Sequence, residues 1–210
     1  MRLVICGTDT DVGKTVVSAL VVQGLGARYW KPVQSGLEGG GDSGRVRQLL
    51  QLPEERLLPE AYRLQAPVSP HWAAERMGVT IDAERLALPD QRQCPGALVV
   101  ETAGGLLVPL RRDWLQIEQL VVWNLPVLLV ARSGLGTLNH TLLSLEALRR
   151  RGLEVLGLVL NGPRHADNPR TLEQLGGVPV LCELPPLDPL DAAALQAQWQ
   201  ASALARTLQP

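Results

Sequence analysis

Lysine is nearly absent from this sequence of 210 residues. Eighteen of the twenty basic residues other than histidine are arginine, and only Lys14 and Lys31 are lysine. A GC-rich genome explains such a bias in general. Under that bias, each remaining lysine becomes a candidate for a role that arginine cannot fill, because a compact ammonium differs from a planar guanidinium in size, reach and ability to lose a proton.

Other shortages exclude whole classes of protein. The formal net charge of −1 gives no field for holding nucleic acid or an anionic membrane. No apolar run approaches the roughly 18 residues of a membrane span, and the apolar start Met1–Cys6 is too short for a signal peptide. Cysteine occurs only at Cys6, Cys94 and Cys182, an odd and scattered set without the spacing of a disulfide framework or a metal finger. We therefore expect a cytoplasmic protein with no nucleic-acid or membrane partner.

The hydrophobic fraction of 46% is enough for a sizeable core, and no linker or repeat divides the chain. We expect a single domain over residues 1–210. Short apolar segments alternate with segments of helical length, which predicts an α/β fold with a mostly parallel β-sheet and helices on both faces. The expected strands are Arg2–Gly7, Ala27–Val33, Ala97–Glu101, Pro126–Ala131, Val155–Leu160 and Val178–Glu183. The expected helices are Val16–Leu25, Arg45–Leu52, Pro70–Met77, Asp82–Leu88, Asp113–Val122, Leu138–Arg151, Asn168–Leu175 and residues 189–208, with loops at 38–44 and 102–112 and an irregular stretch over 53–70.

The segment Gly7–Thr15 has the residues of a phosphate-binding loop between a strand and a helix. Gly13 lets backbone N–H groups approach a phosphate, and the N-terminus of the following helix adds the positive end of its dipole. Lys14 is expected to reach the outer phosphates, and the Thr15 hydroxyl to ligate Mg²⁺. Five residues separate the two glycines, whereas the usual pattern has four.

The residues inside the loop distinguish among proteins that bind phosphate in this way. Partition-type ATPases carry a second lysine five residues before the loop lysine, and this chain has Asp9 there. Thr10 and Asp11 place a hydroxyl and a carboxylate at the tip of the loop. We expect this loop to contact something besides a nucleotide.

Three polar positions follow the expected strands and the glycine-rich loop. Lys31 lies at the carboxyl end of the second strand, where ligands bind in open α/β sheets, although a solvated lysine is the alternative. Asp42 precedes a helix and is expected to be its N-cap, a position from which it can still face Mg²⁺. Glu101 ends an apolar strand and is followed by Gly104 and Gly105, which is typical of a carboxylate that supports Mg²⁺ rather than of a surface glutamate.

Two further segments have weaker signals. Residues 134–140 form a second helix N-terminus, which is a candidate anion site, although plain N-capping by Thr137 or Asn139 explains it equally well. Asn161 ends a strand, where an asparagine can read the edge of a purine, but Asn161-Gly162 is also an ordinary turn. The chain has no Asn-Lys-x-Asp guanine motif, which argues against GTP.

Taken in order, these segments resemble the dethiobiotin synthetase family. The resemblance covers nearly the whole chain and is carried by the five-spaced loop together with Lys31–Gly36, Pro67–His71, Glu101–Gly105 and Gly136–His140. It implies a P-loop NTPase type of fold and an ATP- and Mg²⁺-dependent cyclo-ligase. That enzyme would form dethiobiotin from 7,8-diaminononanoate and CO₂ through a carbamate and a carbamic-phosphoric anhydride. The sequence departs from the family at Thr102, where a glycine is expected.

The resemblance also implies a homodimer, in which the neighbouring subunit completes the site for the substrate carboxylate. Lys14 and Lys31 are the expected catalytic residues, and the expected Mg²⁺ ligands are Thr15, Asp42 and Glu101. The expected substrate contacts are Thr10, Ser35, Gly136, Thr137, Leu138 and Asn139. The expected ATP contacts are Asp11, Val12, Gly13, Lys14, Thr15, Val16, Asp42, Glu101, Thr102, Ala103, Gly104, Asn161, Gly162, Pro185, Pro186 and Leu187.

Two other functions remain open from the sequence. One is a partition- or switch-type ATPase whose nucleotide state controls the binding of a partner, which Asp9 disfavours. The other is a different small ATP-dependent ligase or kinase on the same scaffold.

Overall fold

The structure is a computed structural model that describes residues 1–209. Its strands are β1 Arg2–Gly7, β2 Arg28–Trp30, β3 Val33–Ser35, β4 Leu57–Leu58, β5 Tyr62–Leu64, β6 Leu98–Gly105, β7 Pro109–Arg111, β8 Trp114–Leu115, β9 Val127–Arg132, β10 Val155–Asn161 and β11 Val180–Leu184. Its α-helices are α1 Lys14–Leu25, α2 Gly41–Leu50, α3 Pro70–Arg76, α4 Gln116–Trp123, α5 Thr137–Arg149, α6 Asn168–Gly176, α7 Ala192–Ala201 and α8 Leu204–Leu208. None of the helices within residues 1–209 combines the length and apolar character needed to cross a bilayer.

Seven strands form one sheet in the order β11-β10-β9-β1-β6-β2-β4, and every neighbouring pair is parallel. This confirms the α/β fold expected from the alternating apolar segments. Because the strands are parallel, their carboxyl ends lie at one edge of the sheet, with β1 between β6 and β9. Polar residues that follow different strands are therefore brought together at that edge.

Alternation along each strand divides the core into two layers. Leu3 and Ile5 face the layer that contains α1, α7 and α8, whereas Val4 and Cys6 face the layer that contains α4, α5 and α6. Successive side chains of a strand point to opposite faces, so a strand that is covered on both sides is apolar throughout. The sequence contains continuous apolar runs because helices cover the sheet on both faces.

The expected strand Ala27–Val33 is wrong as one element. β2 ends at Trp30 and β3 begins at Val33, because Lys31 turns toward the carboxyl edge of the sheet and Pro32 has no N–H for a ladder. Its carbonyl instead accepts a hydrogen bond from the N–H of Tyr62. The irregular stretch 53–70 accordingly contains β5, which pairs with β3 in a separate parallel ladder, as well as the edge strand β4.

The glycine-rich segment 38–44 is partly helical rather than a loop. A 3₁₀ turn at Glu38–Gly40 leads directly into α2, which begins at Gly41. Asp42 therefore lies inside the first turn, and Gly40 is the N-cap, so the expected N-cap role of Asp42 is wrong. The left-handed φ angles of Gly39, Gly40 and Gly41 permit the tight entry that places Asp42 there.

Other elements also differ from the sequence expectations, and the expected tail helix over 189–208 is two helices, α7 and α8. β6 continues to Gly105, past the expected loop start at Thr102, and β7 and β8 form a small hairpin. The expected helix Asp82–Leu88 is only a 3₁₀ turn at Glu84–Leu86. α5 is N-capped by Gly136 without a side-chain cap, so capping by Thr137 or Asn139 is also wrong.

Candidate active site

The phosphate loop lies between β1 and α1 at the carboxyl edge of the sheet. Gly13 adopts a φ of 97° at the start of α1, and a Cβ there would lie 2.1 Å from Nδ2 of Asn161, so only glycine fits. Nζ of Lys14 donates a hydrogen bond of 2.8 Å to the carbonyl of Asp9 and thereby spans the loop. Asp11 has a left-handed φ of 55°, which aspartate tolerates better than most residues.

Lys31 is buried at the same edge, with its side chain turned toward the loop. Its Nζ lies 2.8 Å from Oδ2 of Asp42 and 3.0 Å from Oε1 of Glu101, and it donates a third hydrogen bond of 2.9 Å to the carbonyl of Thr102. Only 3% of Lys31 is exposed, which excludes the solvated lysine that the sequence left open. A buried ammonium with three oxygen partners is a fixed positive charge.

The hydroxyl of Thr15 closes this cluster. Its Oγ1 lies 2.9 Å from Oδ1 of Asp42 and 3.0 Å from Oε1 of Glu101. A hydroxyl has one proton, so it can donate to only one of these two carboxylates at a time.

Tyr29 holds the other oxygen of Glu101. Its hydroxyl donates a hydrogen bond of 2.9 Å to Oε2, and both side chains are buried. The strand register explains the contact: Tyr29 pairs with Val99, and Glu101 is two residues farther along β6 on the same face. Burial, followed by the charge of Glu101, raises the pKa of Tyr29 well above its usual value, so the phenol remains a donor.

The two lysines have opposite pKa shifts. Burial acts to lower the pKa of Lys31, but the carboxylates of Glu101 and Asp42 outweigh it, so the pKa is raised and the ammonium keeps its proton. The pKa of Lys14 is lowered, first by burial and then by the positive charge of Lys31. For Asp42, burial is opposed by Lys31 and by the hydrogen bond from Thr15, and the net effect lowers its pKa. The cluster therefore presents two carboxylates and a cation that serves as a charge rather than as a base.

A cavity of about 810 Å³ opens above these groups. Its lining includes most of the residues that the sequence predicted for ATP, metal and substrate. Those predicted residues are Thr10, Asp11, Gly13, Lys14, Thr15, Val16, Lys31, Ser35, Asp42, Glu101, Ala103, Gly104 and Asn161.

Mg²⁺ fits the donor set at the floor of the cavity. Carboxylate oxygens of Asp42 and Glu101 lie within 3.0 Å of the Thr15 hydroxyl. Together they form a group of three hard oxygen donors, which is the kind of ligand that Mg²⁺ prefers. Within residues 1–209, no group of three or more histidine, cysteine, aspartate or glutamate side chains is placed so that it could hold a metal ion by itself. A cation here would therefore take its remaining ligands from phosphate oxygens and water, which is usual for Mg²⁺.

Several predicted residues do not line the cavity. Val12 is buried. The hydroxyl of Thr102 donates a hydrogen bond of 3.2 Å to the carbonyl of Ile5, so the Thr102 side chain faces β1. The others outside the cavity lining are Gly136, Thr137, Leu138, Asn139, Gly162, Pro185, Pro186 and Leu187. The oxygen of Thr137 lies 3.3 Å from that of Thr141, within α5.

Asn161 lines the cavity and also supports the loop. Its Nδ2 donates a hydrogen bond of 3.0 Å to the carbonyl of Val12, which ties β10 to the phosphate loop. Its amide keeps one N–H and one carbonyl oxygen beyond this bond.

The sequence reasoning missed other residues of the site. Oε1 of Gln34 accepts a hydrogen bond of 3.0 Å from the N–H of Asp42 and so fixes the start of α2. Arg45 lines the cavity three residues after Asp42, on the same face of the helix. Residues 67–70 and Val108 complete the wall. The segments Lys31–Gly36 and Pro67–His71 carried a signal for Gln34 and for residues 67–70, but no local pattern pointed to Arg45.

A parallel sheet, a glycine-rich loop that leads into α1, and a lysine, a threonine and carboxylates at the loop define the class of the protein: it is a P-loop nucleoside triphosphatase by fold and site. Solved structures agree on the fold. The cell division ATPase MinD of Pyrococcus furiosus has a TM-score of 0.57 at 15% identity, with 99% of this chain and 98% of that chain covered. A ParA family ATPase from Chlorobium tepidum has a TM-score of 0.55 at 11% identity, with 99% and 95% covered.

Sequence comparisons give the family. A family profile described as an AAA domain matches residues 1–194. The ATP-dependent dethiobiotin synthetase BioD of Rhodopseudomonas palustris strain BisB18 is 52% identical over 96% of this chain and 95% of its own length. A biotin biosynthesis bifunctional protein, BioCD of Bordetella avium, is 53% identical over 91% of this chain and 41% of its own length. The chain belongs to the dethiobiotin synthetase family.

Proposed function

We propose that this chain is an ATP-dependent ligase that closes the urea ring of dethiobiotin. Its substrates are 7,8-diaminononanoate, CO₂ and ATP. The name of its relatives supports the reaction, and one observation carries the chemistry: the Lys31 ammonium lies within 3.0 Å of Asp42 and Glu101 in the cavity that also holds the phosphate loop.

The proposed reaction has three steps. One amine adds to CO₂ and loses a proton, which gives a carbamate. A carbamate oxygen attacks the γ-phosphorus of ATP, and ADP leaves. The second amine attacks the carbonyl carbon of the mixed anhydride, phosphate leaves, a proton is released and the five-membered ring closes.

The residues supply charge and position. Phosphoryl transfer needs alignment of the reacting oxygens and neutralisation of negative charge more than it needs covalent help. Lys14 in the phosphate loop and Lys31 after β2 both line the cavity and would neutralise charge on the γ-phosphate and the carbamate. Ser35 and Thr10, which both line the cavity, would orient the diamine by hydrogen bonds.

We propose that Thr15, Asp42 and Glu101 hold Mg²⁺. Bound there, the ion would neutralise charge on the phosphates. Lys31 contacts Oδ2 of Asp42 and Oε1 of Glu101, so its ammonium would compete with the ion for these two carboxylates. The raised pKa of Lys31 keeps its positive charge in place for the carbamate.

We also propose a homodimer. The predicted contacts of the substrate carboxylate, Gly136–Asn139, do not line the cavity, and the neighbouring Leu135 is fully exposed. These two facts suit a helix start that faces the cavity of a second copy. A single domain over residues 1–210 and a cytoplasmic location remain part of the proposal, and the latter is supported by three buried cysteines without disulfides within residues 1–209.

The experiment that tests the function measures phosphate release from ATP with and without 7,8-diaminononanoate and bicarbonate. We expect release to depend strongly on the diamine, and a mass spectrum to show the diamine gaining CO. Turnover driven instead by DNA, a membrane or a protein would favour a switch-type ATPase. Diamine-dependent release without the CO gain would indicate a different ligase or kinase.

A further inference from the structure

Glu101 is the most enclosed group of the site. Its side chain is fully buried, so water cannot replace a missing hydrogen-bond partner. Oε1 faces Thr15 and Lys31, and among residues 1–209 the hydroxyl of Tyr29 is the only hydrogen-bond partner of Oε2. Rotation about the terminal bond of a glutamate is soft, so this carboxylate needs a partner on both oxygens to hold one orientation.

The Tyr29 ring is itself held firmly. It is fully buried in the layer between the sheet and α1, beside its cross-strand neighbour Val99. Its hydroxyl therefore has little freedom to move away from Glu101. The bond crosses from β2 to β6, and Lys31, which directly follows β2, contacts the other oxygen of the same carboxylate.

We propose that Tyr29 is a positioning residue, which turns Glu101 so that Oε1 faces Thr15 and the Mg²⁺-nucleotide. Partners of this kind behind a metal-binding carboxylate fix its orientation, and their loss weakens metal binding. The inference rests on the Mg²⁺-nucleotide part of the proposed function and not on the identity of the diamine.

Tyr29→Phe tests it, because the variant removes one oxygen and keeps the ring. The experiment measures the binding of a non-hydrolysable ATP analogue by calorimetry, over a series of Mg²⁺ concentrations and in EDTA, without diamine. We expect about a 10-fold rise in the Mg²⁺ concentration needed for half-maximal enhancement of binding, with unchanged affinity in EDTA.

The chain offers a matched control. Tyr62 is its only other tyrosine and is also buried, and its hydroxyl accepts a hydrogen bond of 2.7 Å from the N–H of Asp82 without lining the cavity. Tyr62→Phe should leave the Mg²⁺ dependence unchanged, even where it lowers the melting temperature. A purely structural role for Tyr29 predicts the same behaviour for both variants.

A double variant separates the loss of this hydrogen bond from a general loss of stability. Glu101→Gln already replaces the carboxylate with an uncharged amide. Adding Tyr29→Phe to this variant should therefore cause no further change in Mg²⁺ dependence. Wild-type Mg²⁺ dependence in Tyr29→Phe, or equal effects of the substitution in both backgrounds, would overturn the proposal. Absence of dethiobiotin formation by the wild type would count against the proposed function alone, since the binding assay contains no diamine.

Discussion

Nζ of Lys31 lies 2.8 Å from Oδ2 of Asp42, although one residue follows β2 and the other is in the first turn of α2. Glu101 and the hydroxyl of Thr15 belong to the same cluster of oxygen atoms around Lys31. The ammonium of Lys31 is buried and has three oxygen partners at distances between 2.8 and 3.0 Å, so the space around it fits a compact cation.

Lys31→Arg should therefore retain nucleotide binding and lose most ligase turnover. The planar guanidinium is larger and cannot place its charge at the same point between two carboxylates and the reacting groups. We expect kcat to fall on the order of 100-fold, measured by dethiobiotin formation, with ATP affinity measured separately. The reverse exchange at an exposed position, Arg206→Lys, serves as the control. Turnover close to that of the wild type would remove Lys31 from the catalytic residues.

Arg45 is predicted to contribute to substrate binding. It lines the cavity and has no ion pair within residues 1–209, so its charge is available to an incoming anion. Arg45→Ala should lower kcat/KM for ATP about 10-fold, because a hydrogen bond to a charged phosphate is lost. Arg47→Ala removes an exposed guanidinium from the same helix away from the cavity, and its kinetics should match the wild type. Equal effects of the two substitutions would show that only net charge matters.

A shared site predicts complementation between two inactive variants. Lys31→Met removes the buried cation, and Asn139→Asp places a negative charge where the partner subunit's substrate carboxylate would bind. Aspartate is stabilising at a helix N-terminus, so the second variant should fold. Mixing equal amounts after subunit exchange should restore about one quarter of wild-type activity, because half of the dimers then carry one intact site. No recovery, despite exchange shown by differently tagged subunits, would contradict a site built from two chains.

Alkaline pH should destabilise the fold through Cys6. Burial raises the pKa of this thiol from 9.0 to about 12, against the opposing hydrogen bond of Thr102. Above pH 9 the unfolded thiol loses its proton while the folded thiol keeps it, so stability falls as pH rises toward 12.

Cys6→Ala isolates this contribution. The difference in the free energy of unfolding between wild type and variant should shrink by about 1 kcal/mol per pH unit above pH 9, measured by urea denaturation between pH 8 and about 10.5. Cys94→Ala, at another buried cysteine, is the comparison. A difference that stays constant over this range would show that the thiol titrates normally in the folded state.

Much of the fold followed from local pattern. β1 was predicted with its observed bounds, and α1, α5, β9 and β10 within two residues at each end. These elements are apolar runs or helices with clear ends, and their signal lies in neighbouring residues. The break at Pro32 and the helical entry at Gly39–Gly41 were not predicted. Pro32 is a local signal for a break, but the turn of Lys31 toward Glu101 and the bond between Gln34 and Asp42 are contacts that the local sequence does not specify.

The sequence by itself determined the phosphate loop, the parallel α/β architecture and the two lysines as the residues to examine, because glycine spacing, apolar periodicity and residue scarcity are properties of the chain alone. Only the tertiary structure decided that Asp42 faces Thr15 and Lys31, that Tyr29 holds Glu101, and that Arg45 lines the cavity. Thr15 and Glu101 are 86 residues apart, and Tyr29 and Glu101 are 72 apart. Their meeting depends on the strand order β1-β6-β2 and its register, a long-range pairing that no local pattern encodes.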